Sequence, residues 1–168
     1  MLTESQSAYL ETLQNVPVRF RPYDPLAAKA AQQIIQAINR ARPELRTLLV
    51  GSMGLGIKGR GTLDIMVLGT IADLPIHISF LRPSLGTPAV REDAEVIWRL
   101  TRSGYPMEVR LVDRDSQQVK DSLVVIDLLK KDADIRRQYE ELKTKYEEAS
   151  LRDYQEAKFL FFNQLLGN

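Results

Sequence analysis

The 168-residue sequence predicts a single α+β domain. Three observations predict this class: short apolar runs typical of buried strands, one segment in which apolar and charged residues alternate, and a C-terminal third with helical patterns and few breakers. The apolar fraction of 44% and the charged fraction of 27% are ordinary for a globular protein. We assign residues 1–168 to one domain, with a helical C-terminal part from about residue 115.

The N-terminal part predicts two helices. Residues 3–15 form a short amphipathic pattern. Asp24 followed by Pro25 is typical of a helix N-cap with proline at the first helical position. The helix that follows carries an apolar stripe made of Leu26, Ala30, Ile34, Ile38 and Ala41.

The middle of the chain predicts three strands and one helix. Residues 47–50 and 63–68 predict strands on either side of a glycine-rich turn, and residues 107–112 predict a strand with Glu108 and Arg110 on its polar face.

Residues 72–86 are broken by prolines, although the alternation at 76–80 allows a strand. Thr87 and Pro88 predict a helix that Gly104 ends. We expect its inward side chains to be Ala94, Ile97, Trp98 and Leu100.

The C-terminal part predicts helices at 116–131, 133–149 and 151–166. Two Tyr/Lys pairs in the last two helices allow two interpretations. They could line a nucleotide pocket, but we favour tyrosines that pack between helices and lysines that stay solvated: Tyr139, Lys143, Tyr154 and Lys158.

Composition excludes several kinds of chemistry. Cysteine is absent and His77 is the single histidine, so disulfides, thiolate catalysis, cysteine-bound zinc and histidine-rich metal sites are ruled out. The net charge is +1, but residues 18–60 hold eight Lys/Arg against two Asp/Glu, which would attract an anion such as a nucleotide phosphate. The net charge of the whole chain is too small to indicate duplex nucleic-acid binding. We expect no membrane span, no signal peptide and a cytoplasmic location.

The glycine-rich segment, residues 50–67, contains the spacing Gly54-x-Gly56-x-x-Gly59 of a dinucleotide fingerprint. Only four residues separate Gly59 from Asp64, which leaves no room for the required helix. The remaining interpretation is a tight turn whose backbone amides could bind an anion. The alternative is a flexible glycine hairpin with one surface aspartate.

Several motifs occur in a characteristic order. These are Pro22-Tyr23-Asp24-Pro25, then Gly51-Ser52, Arg60-Gly61-Thr62-Leu63-Asp64-Ile65, Gly104-Tyr105, and the Tyr/Lys pairs at 139–143 and 154–158. Over about residues 20–165 the sequence resembles the GrpB-like family of the nucleotidyltransferase superfamily, which has the polymerase-beta-like fold.

The resemblance implies a small mixed sheet with packed helices, and transfer of a nucleotidyl group from an NTP to an unknown acceptor with Mg²⁺. It implies that Asp64 and Glu108 are catalytic and bind the metal. The residues it implies for nucleotide binding are Gly51, Ser52, Lys58, Arg60 and Arg110.

Two departures weaken the metal site. Met66 stands two residues after Asp64, where the nucleotidyltransferase superfamily has a second carboxylate, and a thioether is too soft for Mg²⁺. Glu108-Val109-Arg110 stands where the family often has His-Leu-His. The alternatives are therefore a catalytically degenerate nucleotide- or phosphate-binding protein, or a scaffold that binds a partner through its charged C-terminal helices.

Overall fold

The computed structural model describes residues 1–92 and 95–167. Within these residues the chain forms seven α-helices and five strands, in the order α1 (Glu4–Thr12), α2 (Pro25–Ala41), β1 (Arg46–Val50), α3 (Gly51–Leu55), β2 (Leu63–Gly69), α4 (Leu74–Leu85), β3 (Val90–Arg91), β4 (Glu95–Arg102), β5 (Tyr105–Asp113), α5 (Gln117–Lys131), α6 (Ala133–Lys145) and α7 (Leu151–Leu165). The predicted α+β class is confirmed.

The chain divides into two compact units. The sheet unit is Pro22–Lys120, and the helical unit combines Met1–Arg21 with Asp121–Asn168. The assignment of the whole chain to one domain stays a prediction.

The sheet unit contains one mixed sheet with strand order β1-β2-β5-β4-β3. The central strands β2 and β5 are parallel, and the other neighbouring pairs are antiparallel. One face, the core face, packs against α2 and α4 through a continuous apolar cluster that includes Leu63, Ile65, Val67, Trp98, Met107, Val109 and Leu111. The alternate residues of β2 and β5 form the opposite face, called the polar face below.

Helix α2 begins as predicted, because the Asp24 Oδ1 atom accepts a hydrogen bond of 2.9 Å from the backbone N–H of Leu26. Ala30, Ile34 and Ile38 are buried, as the stripe predicts. The prediction for Leu26 is wrong, since that residue is 68% exposed and Ala27 occupies the buried position of the first turn.

The alternation at 76–80 does not form a strand. Residues Leu74–Leu85 form α4, whose buried side chains recur at helical spacing: Leu74, His77, Leu81 and Leu85. Ile76 and Phe80 are about half exposed, so two of the apolar residues in the alternating pattern do not face the core.

The helix predicted after Thr87 is also wrong. Glu95–Arg102 is strand β4, in which Val96 and Trp98 are buried and Arg99 is exposed. Ser103 and Gly104 form a two-residue hairpin turn to β5 with φ of 53° and 82°, as such turns require. Ala94 lies outside the described residues.

The helical unit is held by aromatic packing between α6 and α7. Tyr139 and Tyr154 are buried, and their hydroxyl oxygens lie 3.4 Å apart. The two tyrosines are packed, as expected. The expectation that Lys143 stays solvated is wrong. Lys143 is fully buried, with its Nζ atom 4.5 Å from the centroid of the Tyr139 ring. Within the described residues, no helix is both long and apolar enough to cross a bilayer.

A hydrogen bond joins the start of α2 to the start of β5. The Tyr105 hydroxyl donates to Asp24 Oδ2 at 2.7 Å. This hydrogen bond, followed by the one from the Leu26 N–H, lowers the pKa of Asp24, and it raises the pKa of Tyr105.

We predict that Tyr105→Phe raises the pKa of Asp24 toward the ordinary carboxyl value, as measured by NMR titration of its side-chain carboxyl carbon. Because the folded-state pKa of Asp24 is lowered, its stabilisation is present above the unfolded pKa and is lost as pH falls through the folded value. The free energy of unfolding of the variant should therefore fall less steeply as the pH is lowered below about 4. Tyr23→Phe is the matched control, and an unchanged pKa of Asp24 in Tyr105→Phe would contradict the prediction.

Candidate functional site

The candidate site begins where β1 ends and α3 begins. Gly51 has φ of +64°, and a Cβ atom added to it would lie 2.6 Å from Asp64 Oδ2. The Gly51 main chain therefore rests against the Asp64 carboxylate, and a side chain at position 51 would be both strained and in collision with it. Glycine is required here for close approach of the main chain to Asp64.

The glycine-rich segment contains a short helix and is not the tight turn that was predicted. Residues Gly51–Leu55 form the short helix α3, and the chain then folds back so that the Ile57 N–H donates to the Ser52 carbonyl at 3.0 Å. A Cβ atom on Gly59 would lie 2.6 Å from Ser52 Cβ. The Gly59 main chain thus packs closely against the Ser52 side chain.

The two predicted metal-binding carboxylates lie on adjacent strands. Asp64 of β2 and Glu108 of β5 are direct partners in the parallel register, so their side chains project from the same face of strands about 4.8 Å apart. Glu108 is about one quarter exposed, and its Oε2 atom accepts a hydrogen bond of 3.1 Å from Arg99 Nε. The register therefore forms an acidic pair, Asp64–Glu108.

The next pair on the polar face is Met66 beside Arg110. Arg110 Nε and Nη2 both contact Glu95 Oε1 at 2.5 Å. Desolvation alone would lower the pKa of Arg110, but the hydrogen bond and charge of Glu95, with further charge from Glu108 and Asp64, raise it above its ordinary value. The guanidinium is therefore permanently charged.

The two other predicted cations lie on the segment that leads into β2. Lys58 is partly buried and Arg60 is exposed. Both lie in the segment between α3 and β2.

The donor set limits what metal the site could hold. Among residues 1–92 and 95–167, no three His, Cys, Asp or Glu side chains are grouped so as to bind a metal ion. Two carboxylates, Asp64 and Glu108, supply hard oxygen ligands suited to one Mg²⁺ ion, which completes its shell with water or substrate oxygens. A two-ion centre does not fit, because the second pair offers a thioether and a cation.

An open surface cleft of about 480 Å³ lies beside Glu108 and is lined by Thr62, Arg99, Leu100, Thr101, Pro106, Met107 and Glu108. Of the predicted site residues, Glu108 alone lines this cleft. Its walls combine apolar carbons with one guanidinium, one carboxylate and two hydroxyls.

Glu95 and Arg99, which bind the charged residues of β5, were missed in the sequence because 95–102 was assigned to a helix. The signal was partial alternation, with Val96, Trp98 and Leu100 on one face and Glu95, Ile97, Arg99 and Thr101 on the other.

The sequence matches the model of the GrpB protein family over residues 17–168. The chain belongs to the GrpB family. The crystal structure of the conserved protein GrpB from Enterococcus faecalis resembles it with a TM-score of 0.67 and 16% identity, over 88% of this chain and 97% of that protein. Comparison with curated proteins finds no sequence match.

The fold also resembles that of Cid1 poly(U) polymerase. A MgGTP-bound Cid1 structure has a TM-score of 0.52 and 13% identity, over 83% of this chain and 46% of the polymerase. A Cid1 structure with Mg 3′-dATP has a TM-score of 0.50 and 14% identity, over 83% of this chain and 45% of the polymerase. This chain thus has a nucleotidyltransferase-like fold and covers less than half of the length of Cid1.

We predict that Gly51→Ala lowers the free energy of unfolding by more than the ~1–2 kcal/mol of left-handed backbone strain, because it also displaces the Asp64 carboxylate. Chemical denaturation measures the first effect, and the carboxyl chemical shift of Asp64 measures the second. Gly56→Ala is the matched control, since Gly56 has φ of +69° and nothing within 4 Å of an added Cβ. If the two variants lose the same free energy of unfolding and show the same change in the Asp64 carboxyl chemical shift, the role of Gly51 is contradicted.

Proposed function

We propose that this protein binds a nucleoside triphosphate with Mg²⁺ at the Gly51–Asp64–Glu108 site and transfers its nucleotidyl group to an acceptor, with release of pyrophosphate. The observation that carries the proposal is the juxtaposition of three parts: the Gly51 main chain touches the Asp64 carboxylate, and Asp64 is paired with Glu108. A backbone turn beside two carboxylates on the same face of adjacent strands suits a metal-bound polyphosphate.

Each predicted residue has a chemical role in this proposal. Asp64 and Glu108 would hold the cation, which, when bound, would neutralise charge on the phosphate oxygens. The Ser52 hydroxyl, beside the Gly59 main chain, would donate a hydrogen bond to a phosphate oxygen. Lys58 and Arg60 would add positive charge at the mouth of the site. The fold shared with a polymerase solved with MgGTP supports an NTP as the ligand.

A second candidate function is nucleotide binding without transfer. It is favoured by Met66, which leaves the acidic pair without a third carboxylate on the polar face of β2. The two functions differ in turnover and share the same binding site.

Binding is tested by calorimetry with ATP, GTP, CTP and UTP in the presence of Mg²⁺. We expect at least one to bind, and Asp64→Asn to weaken its Mg²⁺-dependent affinity about tenfold or more, because one of two metal ligands is lost. Asp115→Asn is the control, since Asp115 is an exposed carboxylate whose side chain contacts Arg114. Absence of binding by all four nucleotides would overturn both candidate functions.

Transfer is tested with α-labelled NTPs, Mg²⁺ or Mn²⁺, and RNA, protein and small hydroxyl compounds as acceptors. We expect a labelled product that Asp64→Asn reduces by about two orders of magnitude or more. Transfer that persists in Asp64→Asn would place the chemistry elsewhere. Tight binding without transfer would select the second candidate.

A further inference from the structure

We infer that this site takes one divalent cation, and that the Arg110 guanidinium supplies, as a fixed phosphate-binding group, the positive charge that a second ion would otherwise bring. The inference rests on the proposed function, because it assumes that a polyphosphate is the ligand. It concerns the second pair of the polar face, Met66–Arg110, which the predicted metal chemistry leaves unused.

The first step is the register of the two central strands. Successive pairs on one face of a sheet lie two residues apart, about 6.6–7 Å along the strand. The first pair, Asp64–Glu108, presents only oxygen ligands, whereas Met66–Arg110 presents a thioether and a cation. Neither side chain of the second pair binds a hard divalent ion.

The second step is the way in which Arg110 is held. Glu95 contacts Nε and Nη2 of the guanidinium at 2.5 Å, so one edge of the group is fixed. The N–H groups of Nη1 are not needed for this ion pair and are suited to donate to a phosphate oxygen. The side chain is about 40% exposed, which leaves it accessible to a ligand.

The third step is the local charge. The polar face and its β4 partners combine three carboxylates with two guanidiniums, a net charge of −1: Asp64, Glu95, Glu108, Arg99 and Arg110. One divalent cation changes this to +1, and Lys58 and Arg60, which the proposed function places at the same site, add two further positive charges, which suits an anionic ligand. A second divalent cation would lie against the Arg110 charge with no carboxylate in its own pair, so Coulomb repulsion opposes it.

The number of ions is measured in two ways that do not depend on activity. Crystals soaked with Mn²⁺ and a non-hydrolysable ATP analogue should show one anomalous peak per chain, at Asp64 and Glu108. In solution, Mn²⁺ titration of the full chain followed by electron paramagnetic resonance should give one bound ion, and none in Asp64→Asn. Two ions per chain would overturn the inference and leave the proposed function standing.

The role of Arg110 is measured as nucleotide affinity at saturating Mg²⁺. We expect Arg110→Gln to raise the Kd about tenfold or more and Arg110→Lys to restore part of the affinity. The double variant Glu95→Gln, Arg110→Gln also lacks the Arg110 guanidinium but leaves no unpaired carboxylate at position 95. It should lose as much nucleotide affinity as Arg110→Gln. Arg82→Gln, on the helix that packs against the core face, is the charge-matched control and should have little effect.

Unchanged affinity in both variants that lack the Arg110 charge, in a chain that binds nucleotide, would overturn the inference alone. A wild-type chain that binds no nucleotide would instead overturn the proposed function. The two failures are therefore distinguishable.

Discussion

The parallel pairing of β2 with β5 is the constraint on which the rest of the sheet unit depends. In its register Leu63 lies beside Met107, and the alternate residues of both strands form the centre of the apolar core. The same register sets Asp64 beside Glu108 and Met66 beside Arg110 on the other face. Because side chains alternate, a slip of one residue would turn the carboxylates into the core, so burial of the apolar residues specifies the position of the site.

Strand β4 supplies the ion-pair partners of the polar face. It supplies Arg99 to Glu108 and Glu95 to Arg110, so each charged residue of β5 that faces the site is neutralised by the adjacent strand. These ion pairs are partly exposed, and we attribute to them orientation of the side chains more than stability. The polar face thus has alternating charges across β5 and β4, with the acidic pair Asp64–Glu108 beside them.

The sequence predicted the elements whose signals are local and left out those that depend on distant contacts. Helix α2, with its Asp24 cap, and strands β1, β2 and β5 follow from caps and periodicity, and the common face of Asp64 and Met66 follows from spacing alone. Strand β4 was missed because Thr87-Pro88 resembles a helix start and Gly104 resembles a helix end, although Ser103-Gly104 is also typical of a turn. The partnership of Asp64 with Glu108 needed the strand order, which no local pattern contains.

The two-residue turn at Ser103 and Gly104 has a consequence for the order in which the site is assembled. Both ion pairs of the polar face, Arg99–Glu108 and Glu95–Arg110, lie within the hairpin that this turn closes, so they require only short-range loop closure. Asp64 joins Glu108 across a much longer connection, and contacts of this kind form more slowly. The site should therefore gain its arginines early in folding and its first carboxylate late, so that the acidic pair exists only in the completed sheet.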